Sequence, residues 1–450
     1  MLSHILHIIL VPLTKHQWQH MKTKTSIALI SGCLLMQTAN ASFQAQDPRA
    51  LGMGGVGAAA ANSAQAHFYN PSLLVNARES ESFNFEIPAT AGLTDPDNLL
   101  DSIDDFTTKK YIDSFSIALT SINEKIKQQI ETPGSLQPSD LIIVRDNLIV
   151  ASENLQTGIN NLSNKSLIGN ANLGLMTSSP NGKIGWAGYL NVWVDAGATL
   201  YVDPRDDAAI TDYIGVIKGL NSLTSLIDIG AGGLPDPVKS LYSKLTLDAV
   251  IVKEFGISLA IPYQLNNYSF DVGITPKYMS IQTYSYERTL EESEKNSEVF
   301  DFNNSMDYSS FNLDLGLSKK LTENWKSGLV IKNLIPQSFD TLGGSKITID
   351  PAARIGTSYQ NNWATVAADI DLTKNKSPID EAESRYLALG TELDVWLVKL
   401  RLGYKTNLAV SNNNIISTGL GLYLFGLNID AAVAAGKTDI NAGLQVGLQW

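Results

Sequence analysis

Histidine and cysteine carry most nucleophilic, redox and metal chemistry, and this chain of 450 residues holds five of the first and one of the second. His4, His7, His16 and His20, with the single cysteine Cys33, all precede a small-residue site at Ala39-Asn40-Ala41. Cleavage there leaves one imidazole, His67, and no thiol. That excludes a dithiol redox centre, a Cys/His nucleophile pair and the usual Cys and His zinc sites. A serine nucleophile would have to use His67. Acidic clusters occur at Asp95, Asp97, Asp101, Asp104 and Asp105, at Asp203, Asp206 and Asp207, and at Glu291, Glu292 and Glu294. None has the oxygen and glycine spacing of a calcium loop, so they read as solvated loop charge. Nothing singles out two carboxylates for glycoside cleavage. Gly52, Gly54 and Gly57 match G-x-G-x-x-G, but the polar stretch Ser42 to Leu51 is not the buried strand a dinucleotide site requires. The expectation is a non-enzyme with no catalytic residue, metal or cofactor.

The start region has the layout of an export signal. Met21 is followed by Lys22 and Lys24, an apolar run from Ile27 to Met36, and the small-residue site, which predicts cleavage before Ser42. The residues before Met21 read as a misplaced start. A rival reading is Ile30-Ser31-Gly32-Cys33, a lipoprotein-type box at which the cysteine would be acylated. Losing Lys15, Lys22 and Lys24 from 33 basic residues leaves 30 against 45 acidic ones. A surface so acidic argues against direct nucleic-acid binding through phosphate neutralisation.

The elements that would position any site are strands. At the C-terminus Ile440, Ala442, Leu444, Val446, Leu448 and Trp450 alternate with Asn441, Gly443, Gln445, Gly447 and Gln449. A row of apolar residues opposite a row of small or polar ones suits a sheet with lipid outside and water inside. The same period of two runs through Phe311 to Leu317, Val398 to Tyr404, Tyr268 to Ile274, Val366 to Leu372 and Ile416 to Leu422, and earlier through Phe83 to Ile87, Ile168 to Met176 and Ile184 to Val194. Beyond the N-terminus no apolar run is long enough for a spanning helix.

Connections test this independently, because outer-membrane barrels alternate short periplasmic turns with longer outside loops. Short ones fall at Phe425, near Leu397, at Asn361-Asn362, at Thr322 to Asn324, at Gln264 to Asn267 and at Ser179 to Gly182. Longer ones lie between them, including Ala409 to Asn413, Pro336 to Ser345, Thr289 to Asp307, Pro204 to Lys244 and Gly92 to Lys165. With Leu245 to Tyr263 as one long strand, the count is about fourteen, within bounds of roughly twelve to sixteen.

Two outside segments carry helical periodicity. Phe115, Leu119, Ile122, Ile126 and Ile130, then Leu141, Val144, Leu148, Leu155, Ile159 and Leu162, predict a helical hairpin. Ile210, Ile214, Ile217, Leu220, Leu223 and Ile227 predict a further helix. These stripes either pack on each other and the rim or offer a greasy landing site. Trp186, Trp193, Trp325, Trp363, Trp396 and Trp450 lie in strands or at their ends, as an interfacial girdle or as ordinary strand residues. Lys399, Arg401 and Lys405 share one strand's polar face, and Asp369 with Asp371, and Glu392 with Asp394, share others. In a barrel these point into the lumen, where they either anchor a plug, tune passage, or are the ordinary charges of a wet interior.

After the cleavage site come Asp47-Pro48-Arg49-Ala50-Leu51-Gly52-Met53-Gly54-Gly55-Val56-Gly57 and His67-Phe68-Tyr69-Asn70-Pro71-Ser72-Leu73. Arg49 to Leu73 resembles the N-terminal signature of the FadL-like outer-membrane superfamily, departing at Ser72, where alanine is usual, and at Asn62 to Gln65, where an acid is common. The resemblance implies a fourteen-stranded barrel with this segment as a hatch inside. Arg49, Gly52, Gly54, Gly55, Gly57, His67, Tyr69, Asn70 and Pro71 would be its plug motif, with His67 a hydrogen-bonding residue of the plug.

Thr275-Pro276-Lys277-Tyr278, the stretch Gly328 to Pro336, Ala367 to Leu372, Tyr386 to Glu392 and Ser417 to Gly421 resemble the TraF-like outer-membrane proteins of conjugal transfer, which share that superfamily. The expected organisation is a start region and signal over 1–41, a plug over 42–80, and an antiparallel transmembrane β-barrel over 81–450 with helical insertions at about 97–163 and 208–243. The expected place is the bacterial outer membrane, with lipid and the barrel assembly machinery as partners, the latter through Leu444, Val446, Leu448 and Trp450. The expected role is binding or passing small hydrophobic molecules; the alternative is a structural component of a transfer apparatus.

Overall fold

Side chains alternate across a strand, so a two-residue hydrophobic period puts every apolar residue of a strand on one face. In the computed structural model, which describes residues 43–76, 82–289, 304–376, 383–411 and 413–449, that face points outward. The expected export segment, Glu291, Glu292, Glu294 and Trp450 lie outside the described residues.

Segment 43–76 comes first and is almost wholly buried. It contains helix α1 (Pro48–Gly52), helix α2 (Ala66–Tyr69) and a 3-10 turn at Pro71–Val75. Fourteen strands follow, closing into one antiparallel barrel. They are β1 (Asn84–Thr94), β2 (Lys165–Ser179), β3 (Gly185–Tyr201), β4 (Lys244–Leu265), β5 (Tyr268–Thr289), β6 (Met306–Lys320) and β7 (Trp325–Lys332). The second half is β8 (Ala352–Gln360), β9 (Ala364–Asp371), β10 (Tyr386–Val395), β11 (Val398–Asn407), β12 (Asn414–Leu424), β13 (Leu427–Gly436) and β14 (Asp439–Gln449). Each strand pairs with its neighbours in sequence, and β1 pairs with β14 over Asn84↔Gln449 to Thr94↔Asp439. The strand count and the long β4 are as the connection lengths required.

The outward rows are apolar and bare: Leu402 is 61% exposed, Ile416 62% and Phe311 70%. The inward rows of the same strands carry Arg401, Ser417 and Asn312, all buried. A soluble protein does the reverse. Lipid outside and polar contents inside satisfy both rows, and closure leaves no unpaired strand edge in hydrocarbon. The chain is a transmembrane β-barrel.

Three expectations about the wall need correction. Strand β1 continues past Ile87 to Thr94, so Gly92 lies in the wall and not in a loop. Pro88 lies inside this strand; lacking an N–H, it interrupts pairing with β2, which resumes in the same register from Ala89↔Leu173. Trp193 faces the lumen, not a girdle. It packs there with Val250, Val252, Met279 and Ile281. The loop expected outside at Pro336 to Ser345 belongs to a small hairpin, Gln337–Asp340 with Lys346–Ile349, whose Phe339, Ile347 and Ile349 join that lumenal cluster. The cause is local: at this place the inward rows of β3 to β5 are apolar and must be covered. Trp186, Trp325, Trp363 and Trp396 are exposed near the short-turn end, as are the turn residues Phe425 and Gly426, where an interfacial belt belongs.

At the long-loop end stand α3 (Leu99–Thr108), α4 (Tyr111–Glu131), α5 (Pro138–Leu162), α6 (Pro204–Lys218) and α7 (Leu223–Ile229). Helix α3 falls within the helical insertion expected at about 97–163, although no apolar stripe in the sequence had marked it. The apolar stripes of α4 to α6 pack on each other and on Leu167 and Leu200 of the barrel, forming one core. Within α7 it is Leu226 that is buried, while Ile227 is exposed.

Placing a charge on the lipid-facing row tests this architecture. Leu402→Arg is expected to lower barrel stability by about 2–4 kcal/mol, read as a lower urea midpoint for loss of heat-modifiable migration. An unchanged midpoint would show that this row does not face lipid.

Candidate functional site

Segment 43–76 meets inward-facing groups of β1, β3, β6, β7, β9, β10 and β12, which only a chain inside the barrel can do. Its local shape is set by capping and turn chemistry. Asp47 caps α1, accepting a bond from Ala50 N at 3.0 Å, and also accepts from Tyr69 Oη at 2.5 Å. The Tyr69 oxygen in turn accepts from Gln46 N at 2.9 Å, tying α1 to α2. Gly54 and Gly55 adopt φ of 73° and 86°, a left-handed turn open to glycine at little cost. Asn70 Oδ1 accepts from Ser72 N and Ser72 Oγ, and Pro71 opens the 3-10 turn.

Charge fixes the segment to the wall. Arg49 Nε and Nη2 donate to Glu392 at 3.0 and 2.9 Å, and Nη1 donates to Ala60 O at 2.9 Å. Arg401 Nε donates to the same Glu392 at 2.7 Å, and its Nη1 to Asp430 at 2.6 Å. Four charges thus alternate in sign out of solvent. Removing one partner from such a buried group typically costs about 3–5 kcal/mol, because the other charge stays buried. Asp369 Oδ2 accepts from Gly57 N and Ala58 N at 2.7 and 2.8 Å. Arg354 donates to Gly55 O at 2.9 Å and to Asp371 at 2.6 Å.

Close approach does the rest. A Cβ at Gly403 would lie 2.0 Å from Gly54 N, one at Gly390 2.3 Å from Met53 O, and one at Gly328 1.9 Å from Ala58 O. Gly273 and Gly316, paired across β5 and β6, meet Pro71, Ser72 and Asn70 in the same way. Inward glycines therefore form a track on which the segment's backbone lies against the wall.

Of the lumen charges read from the sequence, Asp369, Asp371, Glu392 and Arg401 belong to this anchorage. Asp394 and Lys399 pair with each other at 2.9 Å, with Lys399 4.9 Å from the Tyr423 ring centre. Lys405 lies 4.3 Å from the Tyr386 ring centre. Asp47, Arg354, Asp430 and the wall glycines were missed. For the glycines a signal existed, since each interrupts the polar row opposite an apolar one.

His67 departs from its expected role. It is buried, stacked on Tyr189 at 4.9 Å between ring centres and beside Phe68 at 4.1 Å. Neither ring nitrogen reaches a partner in good hydrogen-bond geometry among the described residues. Burial, with the Lys332 charge, pushes its pKa down to about 3. It packs as a neutral aromatic.

Above the Gly54-Gly55 turn, toward the long-loop end, lies a cavity of about 190 Å³. Leu51, Gly54 and Gly55 form its floor, and its wall includes Ile415, Tyr386, Lys405, Asn170, Asn441 and Asp439. For scale, a dry apolar cavity of roughly 150 Å³ holds a benzene. Among the described residues, no group of His, Cys, Asp and Glu could hold a metal ion.

The sequence profile of one protein family, described as "F plasmid transfer operon, TraF, protein", matches residues 67–371. The chain belongs to that family. A search of curated proteins gave no significant match. Among solved structures, the Pseudomonas putida toluene transporter TodX is similar at 10% identity over 92% of this chain and 99% of that one, with a TM-score of 0.43. The Ralstonia pickettii toluene transporter TbuX is similar at 11% identity over 91% and 99%, with a TM-score of 0.47. A mutant Rh. blastica porin follows at 8% identity over 82% and 99%, with a TM-score of 0.28.

The His67 environment sets a pH dependence for this member of the TraF family. The unfolded ring titrates near 6.5 and the packed one near 3. Its contribution is fully present above the unfolded value and is lost as pH falls from there toward 3. Protease cleavage within 43–76 is therefore expected to be faster at about pH 4.5 than at about pH 7.5, and His67→Phe to shrink that difference. An undiminished pH effect in the variant would remove His67 as its source.

Proposed function

We propose that this chain is a non-enzymatic barrel of the bacterial outer membrane, delivered by a cleaved signal peptide, in which segment 43–76 acts as a plug. The cavity above the plug binds small molecules with an apolar body before they pass. The observation that carries this reading is the floor of the cavity: Leu51, Gly54 and Gly55 belong to the plug itself. A bound molecule thus rests on the element that blocks its path. Outer-membrane lipid meets the bare rows, and the strand ending in Leu444, Val446, Leu448 and Trp450 is the element offered to the assembly machinery. A hydrolytic role is disfavoured because the one histidine of the exported chain lies between aromatic rings, with neither nitrogen in good hydrogen-bond geometry to a described residue.

A second reading makes the protein a structural component of an envelope-spanning transfer apparatus. The family description names a transfer operon. The helices at the long-loop end also expose Ile117, Ile143, Val150 and Val216, which suits a protein contact.

Planar-bilayer recording separates a plug from an ornament. Removing Ser42 to Ser72 is expected to raise single-channel conductance severalfold while the barrel keeps its heat-modifiable migration. Unchanged conductance would rule out a gating plug.

A further inference from the structure

The cavity's charges are arranged across it. Lys405 is the only cation among its described lining residues, and among the described residues it has no ion pair. Its ammonium lies over the Tyr386 ring. Asp439 lines the cavity from β14, three strands away from β11, or roughly 14 Å along the wall at normal strand spacing. Among the described residues its carboxylate accepts only hydroxyl bonds from side chains, from Thr94 Oγ1 and Thr438 Oγ1, both at 2.8 Å. Beside it, Asn170 and Asn441 flank Gly92 in one cross-strand row, their Oδ1 atoms turned into the notch that a Cβ at Gly92 would fill. The side chains of these asparagines make no hydrogen bond among the described residues. Asp195, next to Asn170 in the same row, and Glu383 also line the cavity, and Leu51, Ile415 and Ile168 add apolar surface.

A site with one cation outside any ion pair at one side, Asp439 and Asp195 with the amides of Asn441 and Asn170 at the other, and a greasy floor is poorly matched to a plain hydrocarbon. Desolvating the charges without partners would oppose such a ligand. It is equally ill-matched to a simple anion, which Asp439 repels.

We propose that the cavity binds a small zwitterion of about one ring's bulk, its carboxylate directed to Lys405 and its ammonium to Asp439 and the amides of Asn170 and Asn441. This rests on the reading of the cavity as a small-molecule site and names the class of ligand that site takes. The apolar body lies on Leu51 and Ile415, against the plug.

Four matched probes test the assignment by calorimetry on the full-length protein in detergent: L-phenylalanine, 3-phenylpropionate, phenethylamine and toluene. L-phenylalanine is expected to bind at least about tenfold more tightly than each of the other three, a gap of about 1.4 kcal/mol. Lys405→Met should erase its advantage over phenethylamine, and Asp439→Asn its advantage over 3-phenylpropionate, with heat-modifiable migration retained in both variants. Equal affinity for all four probes, or tightest binding of toluene, overturns the zwitterion and leaves the small-molecule site standing. Binding of none of them overturns both. A preference for L-phenylalanine that survives both substitutions places the recognition elsewhere and also overturns the proposal.

Discussion

Closure is the constraint on which everything else depends. In hydrocarbon an unpaired strand edge leaves a row of peptide groups without partners, so the first strand must find the last. The pairing of β1 with β14 from Asn84↔Gln449 to Thr94↔Asp439 does this across the whole length of the chain. Once the sheet is closed it has an inside, and a barrel of this size is too wide for its own wall side chains to fill it alone. What occupies the lumen then becomes the functional question.

Two answers coexist in one interior. In the upper half of β3 to β5 the inward residues are apolar, and a hairpin carrying Phe339, Ile347 and Ile349 covers them as a soluble core would. Elsewhere the inward rows are polar or glycine, and segment 43–76 lies on them through backbone contacts and an alternating chain of buried charges. The first arrangement excludes water by hydrophobic packing. The second satisfies the peptide groups of a segment with few strand-like pairings, using Asp369, Ser417 and Arg354 as fixed partners, while Glu392 holds the Arg49 guanidinium. The remaining space is the cavity over Gly54 and Gly55.

Much of the candidate site was visible in part. The turns of segment 43–76 were legible because Gly54, Gly55 and Asn70-Pro71 have local reasons to be what they are. Glu392, Arg401, Asp369 and Asp371 were legible as inward charges because strand period assigns a face. Their partners were not, since Arg49 and Glu392 are separated by 343 positions and no local pattern links them. His67 shows the opposite failure. Its type suggested hydrogen bonding, whereas its neighbours Phe68 and Tyr189 make it an aromatic filler.

The sequence by itself determined the solvent on each face of the wall, the even strand count, the helical insertions and the poverty of catalytic side chains, because periodicity and composition are local properties. The tertiary structure decided which inward glycines face backbone, which carboxylate receives which guanidinium, that a supposed outside loop folds inward, and that Lys405 and Asp439 end on opposite sides of one cavity. Period tells a residue which way to point. Only closing the barrel tells it what it will meet there.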